Sequence, residues 1–248
     1  MNDEQLLRYS RQILLPQWDI AGQEALIKAS VLLVGAGGLG CPAAMYLAAA
    51  GVGRLIIADD DQVDLSNLQR QIAHTEADIG VAKVESLRQT LLSLNSHTEV
   101  IALPERLQGE TLAARVGEVD LVVDCSDNFT TRHQLNRACV AAGKPLVSGA
   151  AIRFEGQVAV FDPRVPDAPC YRCLYSNDND EALSCSENGV LSPVVGVVGA
   201  MQALEALKVL SGVGEPLLGK LLVFDGLRSE WRRLSLPKDP GCPVCGTN

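Results

Sequence analysis

The sequence predicts an α/β fold: a doubly wound sheet, parallel in its first half, with a mixed or antiparallel extension. Three observations predict it. Short apolar runs alternate with amphipathic stretches of helical length through the first 150 residues, a glycine-rich turn follows the first of those runs, and beyond Ala150 strand-like segments lie close together without helices between near neighbours. Alternation of this kind implies parallel strands covered by helices on both faces. Hydrophobic residues make up 47% of the 248, enough for a sizeable core and unlike a disordered chain. The net charge of −9 argues against a general nucleic-acid binder, which needs a basic surface.

Taken in order, residues 3–15 set Leu6, Leu7, Ile13 and Leu14 among charges and read as a helix with an exposed apolar face leading into the domain. Ser30–Val34 is a short apolar run, as a strand buried on both faces should be. A helix follows the glycines to about Ala50, where Gly51 and Gly53 end it. Arg54–Ala58 is the second strand, closed by Asp59, Asp60 and Asp61. Lys83–Leu94 places Val84, Leu87, Leu91 and Leu94 on one helical face, and Glu99–Leu103 is a strand. Leu121–Asp124 is another, followed by a helix from about Phe129 to Ala142 and a strand at residues 145–150. Segments 157–161, 220–224 and 231–236 read as the extension, with a core helix near 200–210. The uncharged stretch 188–204 reads as a loop entering that helix, and 162–188 as a mobile loop. Uncharged 29–53 is glycine-broken and reads as strand, turn and buried helix; no membrane span, secretory signal or transit peptide is expected, which points to the cytoplasm.

Gly35, Gly37, Gly38 and Gly40 fit G-x-G-x-x-G between a strand and a helix, the context that makes this a Rossmann-like nucleotide loop. The backbone there approaches a phosphate and the helix N-terminus offers it free N–H groups. Asp59, ending the next strand, suits ribose hydroxyls. An NAD-dependent oxidoreductase would explain this much. It would leave idle Arg70 and Lys83, and Asp127 with Asn128 beyond the fourth strand. Cations that neutralise a triphosphate and a carboxylate that holds magnesium belong instead to phosphoryl chemistry.

Cys170 and Cys173, with Cys242 and Cys245, form two C-x-x-C pairs, a strong signal for a pair of zinc knuckles sharing one tetrahedral four-cysteine site that ties the tail to the middle of the chain. Four thiolates leave no open coordination position, so the zinc is structural. A zinc-ribbon binding module would explain these cysteines and nothing else. Cys41, Cys125 and Cys139 read as packing residues, and the three histidines show no ligand spacing.

The run from Arg8 to Gln12, the Gly-Ala-Gly-Gly-Leu-Gly loop, Asp-Leu-Ser-Asn-Leu-Gln-Arg-Gln at 64–71, Asp-Cys-Ser-Asp-Asn at 124–128 and the paired C-x-x-C together resemble the E1-like enzymes that activate ubiquitin-like proteins, in their bacterial sulfur-carrier branch. Residues 148–157 are more similar to the molybdopterin than to the thiamine members. The resemblance covers almost the whole chain. It implies a single adenylation domain over 1–248, with a nucleotide-binding half (1–150) and a carrier-binding and zinc half (151–248). It also implies ATP-dependent adenylation of a sulfur carrier ending in Gly-Gly, in molybdenum cofactor biosynthesis, with the thiamine-pathway carrier as the alternative. By similarity Gly38 contacts the nucleotide, Asp59 holds the ribose, and Ser66, Asn67, Arg70 and Lys83 line the phosphates. Asp127 takes Mg2+ beside Asn128, and Arg11 reaches the partner subunit's site in a homodimer. The family's loop cysteine matches Cys185, whose thiol attacks the adenylate in some members; in the molybdopterin branch the adenylate passes to a separate sulfur donor.

Overall fold

The structure, a computed structural model, describes residues 1–176 and 189–246. Strands β1 (Ser30–Val34), β2 (Arg54–Ala58), β3 (Glu99–Leu103), β4 (Leu121–Asp124) and β5 (Leu146–Ile152) run parallel. Strands β6 (Glu155–Phe161), β7 (Lys220–Asp225) and β8 (Glu230–Ser235) continue the sheet antiparallel. The spatial order is β3-β2-β1-β4-β5-β6-β7-β8, so the expected parallel half and antiparallel extension share one sheet. Because the order reverses between β1 and β4, a crevice opens beyond their carboxyl ends, where sheets of this kind bind ligands.

The core follows from the period of two along each strand. Val31 and Leu33 pack on one face with α4 (Gly40–Ala50), α5 (Lys83–Leu94) and α9 (Ser192–Ser211). Leu32 and Val34 pack on the other with α6 (Gly109–Gly117), α7 (Phe129–Ala142) and Tyr171 of α8 (Tyr171–Leu174). Both faces being covered, β1 is apolar throughout apart from Ser30. Gly51 ends α4 with φ 95°, the left-handed cap that glycine adopts without penalty.

Three expectations need correction. Residues 3–15 form two short helices, α1 (Asp3–Arg8) and α2 (Ser10–Ile13). They break at Tyr9, whose ring is buried and whose hydroxyl accepts the Asn95 side-chain amide at 2.9 Å. Anchoring Tyr9 in the core turns the chain there. Helices α3 (Asp19–Lys28) and α6 add to the expected set; α6 buries only Leu112 and Val116, too little periodicity to read. Helix α9 begins at Ser192, not near 200, with Pro193 in its first turn, a position that wastes no N–H. Its Gly199 permits a close crossing over α4: a Cβ there would meet the Leu39 carbonyl and, at 2.6 Å, Pro42. This helix is long and apolar enough to cross a membrane, yet it packs on α4, β5 and β6 and buries Gln202 and Glu205 in hydrogen bonds.

Candidate functional site

The glycine loop leaves β1 at Gly35, whose φ of +100° favours glycine and where a Cβ would stand 2.6 Å from the Cys125 carbonyl oxygen. Gly40 opens α4 with its backbone against the Gly35 carbonyl. Gly38 lies against Val195 of α9, and Gly37 has room toward Gln71. The loop thus presents backbone and the start of α4 to a cavity of about 400 Å³.

Around that cavity stand Asp59, Asn67, Arg70, Lys83, Asp127 and Asn128. Asp59 accepts the Ala36 N–H at 2.7 Å and the Asp61 N–H at 2.8 Å, while burial raises its carboxyl above the usual range. Lys83, with its side chain only 6% exposed, donates to Asp61 at 2.7 Å. A cation so desolvated needs that partner. Arg70 is steered by the Ser66 carbonyl (3.1 Å) and the Asn67 side-chain oxygen (3.0 Å), which also takes the Gln71 amide at 3.2 Å. Ser66 is exposed, lies off the cavity wall and donates its hydroxyl to Asp64 at 2.5 Å. That bond and the one from the Ser66 N–H to the same carboxylate form the turn that carries Asn67. Asn128 caps α7 by accepting the Thr131 N–H at 2.9 Å and donates to Asp127 at 3.2 Å.

A second cavity, of about 710 Å³, adjoins the first; Arg106, Asp127, Asn128, Thr131, Arg132 and Ala151 line both. Its floor includes Gln157 and Val223, cross-strand neighbours on the antiparallel extension. Sequence reasoning missed Arg132. It is buried, donates to the Ser126 carbonyl at 2.8 Å and lies 5.6 Å over the Phe129 ring. Asp124 faces its charge from the end of β4; burial raises that carboxyl, and Arg132 opposes the rise. The available signal was position, one turn into the helix that Asn128 caps. Asp61 could have been read from the Asp59–Asp61 run, as the member spaced to reach Lys83. Arg11, exposed on α2, lines neither cavity of its own chain.

The sulfurs of Cys170, Cys173, Cys242 and Cys245 lie within 4.8 Å of one another, with Cys170–Cys242 at 3.7 Å and Cys173–Cys245 at 3.5 Å. Four ligands at zinc–sulfur bonds of about 2.3 Å stand about 3.8 Å apart, so the set fits a tetrahedral zinc. Asn136 donates to the Cys170 sulfur and the Asp239 N–H to that of Cys173, both at 3.5 Å, the kind of support that orients thiolates. Cys41, Cys125 and Cys139 are buried, and burial pushes the Cys41 thiol up to about 12, which leaves it inert. Cys185 and most of the 162–188 loop's second half lie outside the described residues.

Comparison with known proteins follows the same outline. A model of the ThiF family matches residues 9–244. The chain is 50% identical over 246 residues to the molybdopterin-synthase adenylyltransferase of Escherichia coli K12, covering 99% of this chain and 98% of that protein. It is also 50% identical over 246 residues to the same organism's sulfur carrier protein ThiS adenylyltransferase, covering 99% and 97%. Among solved structures, E. coli MccB with ATP superposes with a TM-score of 0.84 at 28% identity, over 99% of this chain and 75% of that one.

Proposed function

The chain belongs to the ThiF family, and from that premise we propose that it uses ATP to adenylate the C-terminal glycine of a ubiquitin-like sulfur carrier protein ending in Gly-Gly. The carrier of molybdenum cofactor biosynthesis is the first choice, because residues 148–157 are more similar to that branch. The observation that carries the proposal is the meeting of two cavities at Asp127: one walled by the glycine loop, Arg70 and Lys83, the other open across β5–β7. Such a pair suits a nucleotide and an extended tail whose ends must react.

In this reading the phosphates lie at the start of α4, between Arg70 and Lys83, with Asp59 on the ribose. The carrier's carboxylate oxygen attacks the α-phosphorus. The bond to the β-phosphate oxygen breaks, and pyrophosphate leaves with the electron pair. Two anions must approach, so fixed cations and a pre-oriented backbone lower the barrier. Asp127 beside Asn128 is the carboxylate placed to hold Mg2+, which would offset charge on the phosphates when bound. Zinc in the four-cysteine cluster would join the tail to the middle of the chain and take no part in the reaction. Halves 1–150 and 151–248 of one domain then divide the nucleotide from the carrier and zinc. Arg11, unused in its own chain, is suited to a partner's site in a homodimer. The adenylate then passes to a separate sulfur donor, and Cys185 need not act. The expected setting is the cytoplasm. The equal identity to the ThiS enzyme supports activation of the thiamine-pathway carrier as a second reading. An NAD-dependent oxidoreductase would leave Arg70, Lys83 and Asp127 without work.

The test is mass spectrometry of candidate carriers incubated with enzyme and ATP–magnesium. The reading requires a carrier heavier by one AMP, and none after removal of the terminal Gly-Gly. A modified carrier without its Gly-Gly would contradict it.

A further inference from the structure

A closed circuit of hydrogen bonds surrounds the peptide groups of Ala36, inside the glycine loop. The Ala36 N–H donates to Asp59 at 2.7 Å, and the same carboxylate accepts the Asp61 N–H at 2.8 Å. Asp61 takes the Lys83 ammonium at 2.7 Å on its side chain and the Lys83 N–H at 2.9 Å on its carbonyl. One turn further along α5, Ser86 Oγ lies 2.8 Å from His74 Nδ1, and His74 Nε2 lies 3.0 Å from the Ala36 carbonyl oxygen. Ala36, His74 and Ser86 are all buried. His74 lines neither cavity.

The Ala36 contact fixes one ring proton. A carbonyl oxygen only accepts, so Nε2 carries a hydrogen, and at Nδ1 stands Ser86 Oγ, which the Asp78 carboxylate also engages. Burial holds His74 below the ordinary histidine range, in keeping with a neutral ring. The Cys41 thiol, 3.5 Å from the same carbonyl, adds a weak second donor.

We propose that His74 is a positioning residue for the nucleotide's phosphates: it braces the glycine loop against helix α5 and so fixes the distance between the loop's backbone donors and the Lys83 ammonium. Both elements face the same cavity, and without the ring nothing among the described contacts joins the Ala36 carbonyl to α5. The Asp59–Asp61–Lys83 arm holds the N–H of the same residue. His74 touches no substrate; it acts through the loop and the helix. The inference rests on the reading of the 400 Å³ cavity as the ATP site.

The experiment compares ATP–magnesium binding by calorimetry, and KM for ATP and for the carrier in pyrophosphate exchange, in wild type, His74→Leu, His74→Gln and Ser86→Ala. His74→Leu should weaken ATP binding and raise its KM roughly 3–10-fold, the range one hydrogen bond is worth. The carrier KM should not move. His74→Gln, whose amide can donate to the Ala36 carbonyl, should recover much of the loss. In a Lys83→Ala background, His74→Leu should add little, because the brace then has no cation to align. Should His74→Leu not fold, Ser86→Ala carries the same prediction at the lower end of the range. Unchanged ATP affinity in the folded variants would overturn the brace. Full additivity with Lys83→Ala would overturn it too. Wild-type protein that binds ATP but performs no exchange would overturn the adenylation reading instead, and the calorimetric comparison would still decide the brace.

Discussion

Lys83 shows what a single residue does here. Its charge sits in a wall where the side chain is almost fully covered, and its ion-pair partner Asp61 is itself 65% exposed. Replacing Asp61 with Asn leaves a desolvated cation poorly compensated. We expect a loss of stability of roughly 1–3 kcal/mol by denaturant unfolding, together with weaker ATP binding. In the proposed reading Arg70→Ala and Lys83→Ala each remove a cation from the phosphates and Asp127→Ala removes a ligand of Mg2+; exchange rates should fall on the order of 10²–10³-fold for each. Near-wild-type rates in all three would remove the site from this cavity. At this scale the sequence was readable where chemistry is unusual. Lysine and arginine inside a polar motif stand out beside a glycine loop. Arg132 and His74 did not: His74 is used through Ser86 and the Ala36 carbonyl, both distant in the chain, and Arg132 offers only its place one turn into α7.

Among the elements, the glycine loop and the cysteine knuckles make opposite demands. The loop requires missing side chains. Gly35→Ala would force a left-handed residue, at roughly 1–2 kcal/mol, and press a Cβ on the Cys125 carbonyl. Thermal melting should show a lower midpoint and titration a weaker ATP affinity. The knuckles require four thiolates at once. Elemental analysis should find one zinc per chain, and Cys242→Ser should release it and lower the melting midpoint sharply, since structural zinc contributes roughly 10–16 kcal/mol of apparent binding energy. Soluble, active protein free of metal would contradict this. Strands β1 and β2 were legible to the residue because apolar runs closed by Gly35 and by Asp59 have little freedom in where they stop, and α7 was legible between the Asn128 cap and Gly143. The start of α9 was not. Glycines and a proline read as loop locally, and only its packing on α4 shows that small residues there serve a close helix crossing.

For the whole molecule, the sheet order explains why the two cavities adjoin where they do. Parallel strands bring the glycine loop and the end of β4 to one crevice, and the antiparallel extension builds a second cavity beside it. Exposed Leu7, Leu14, Leu15 and Ile20 surround the N-terminal helices that carry Arg11, as a face covered in a homodimer would. Mixing Arg11→Ala with Lys83→Ala protein should therefore restore part of the activity, since each heterodimer holds one site free of both defects. No recovery after confirmed subunit exchange would show that each site is built within one chain. If this site joins a carrier's terminal carboxylate to AMP, the reverse reaction must exchange labelled pyrophosphate into ATP. Exchange should occur only with a carrier that ends in Gly-Gly and should be lost when that carrier is shortened by two residues; exchange that proceeds equally without any carrier would show that the enzyme does not adenylate a carrier.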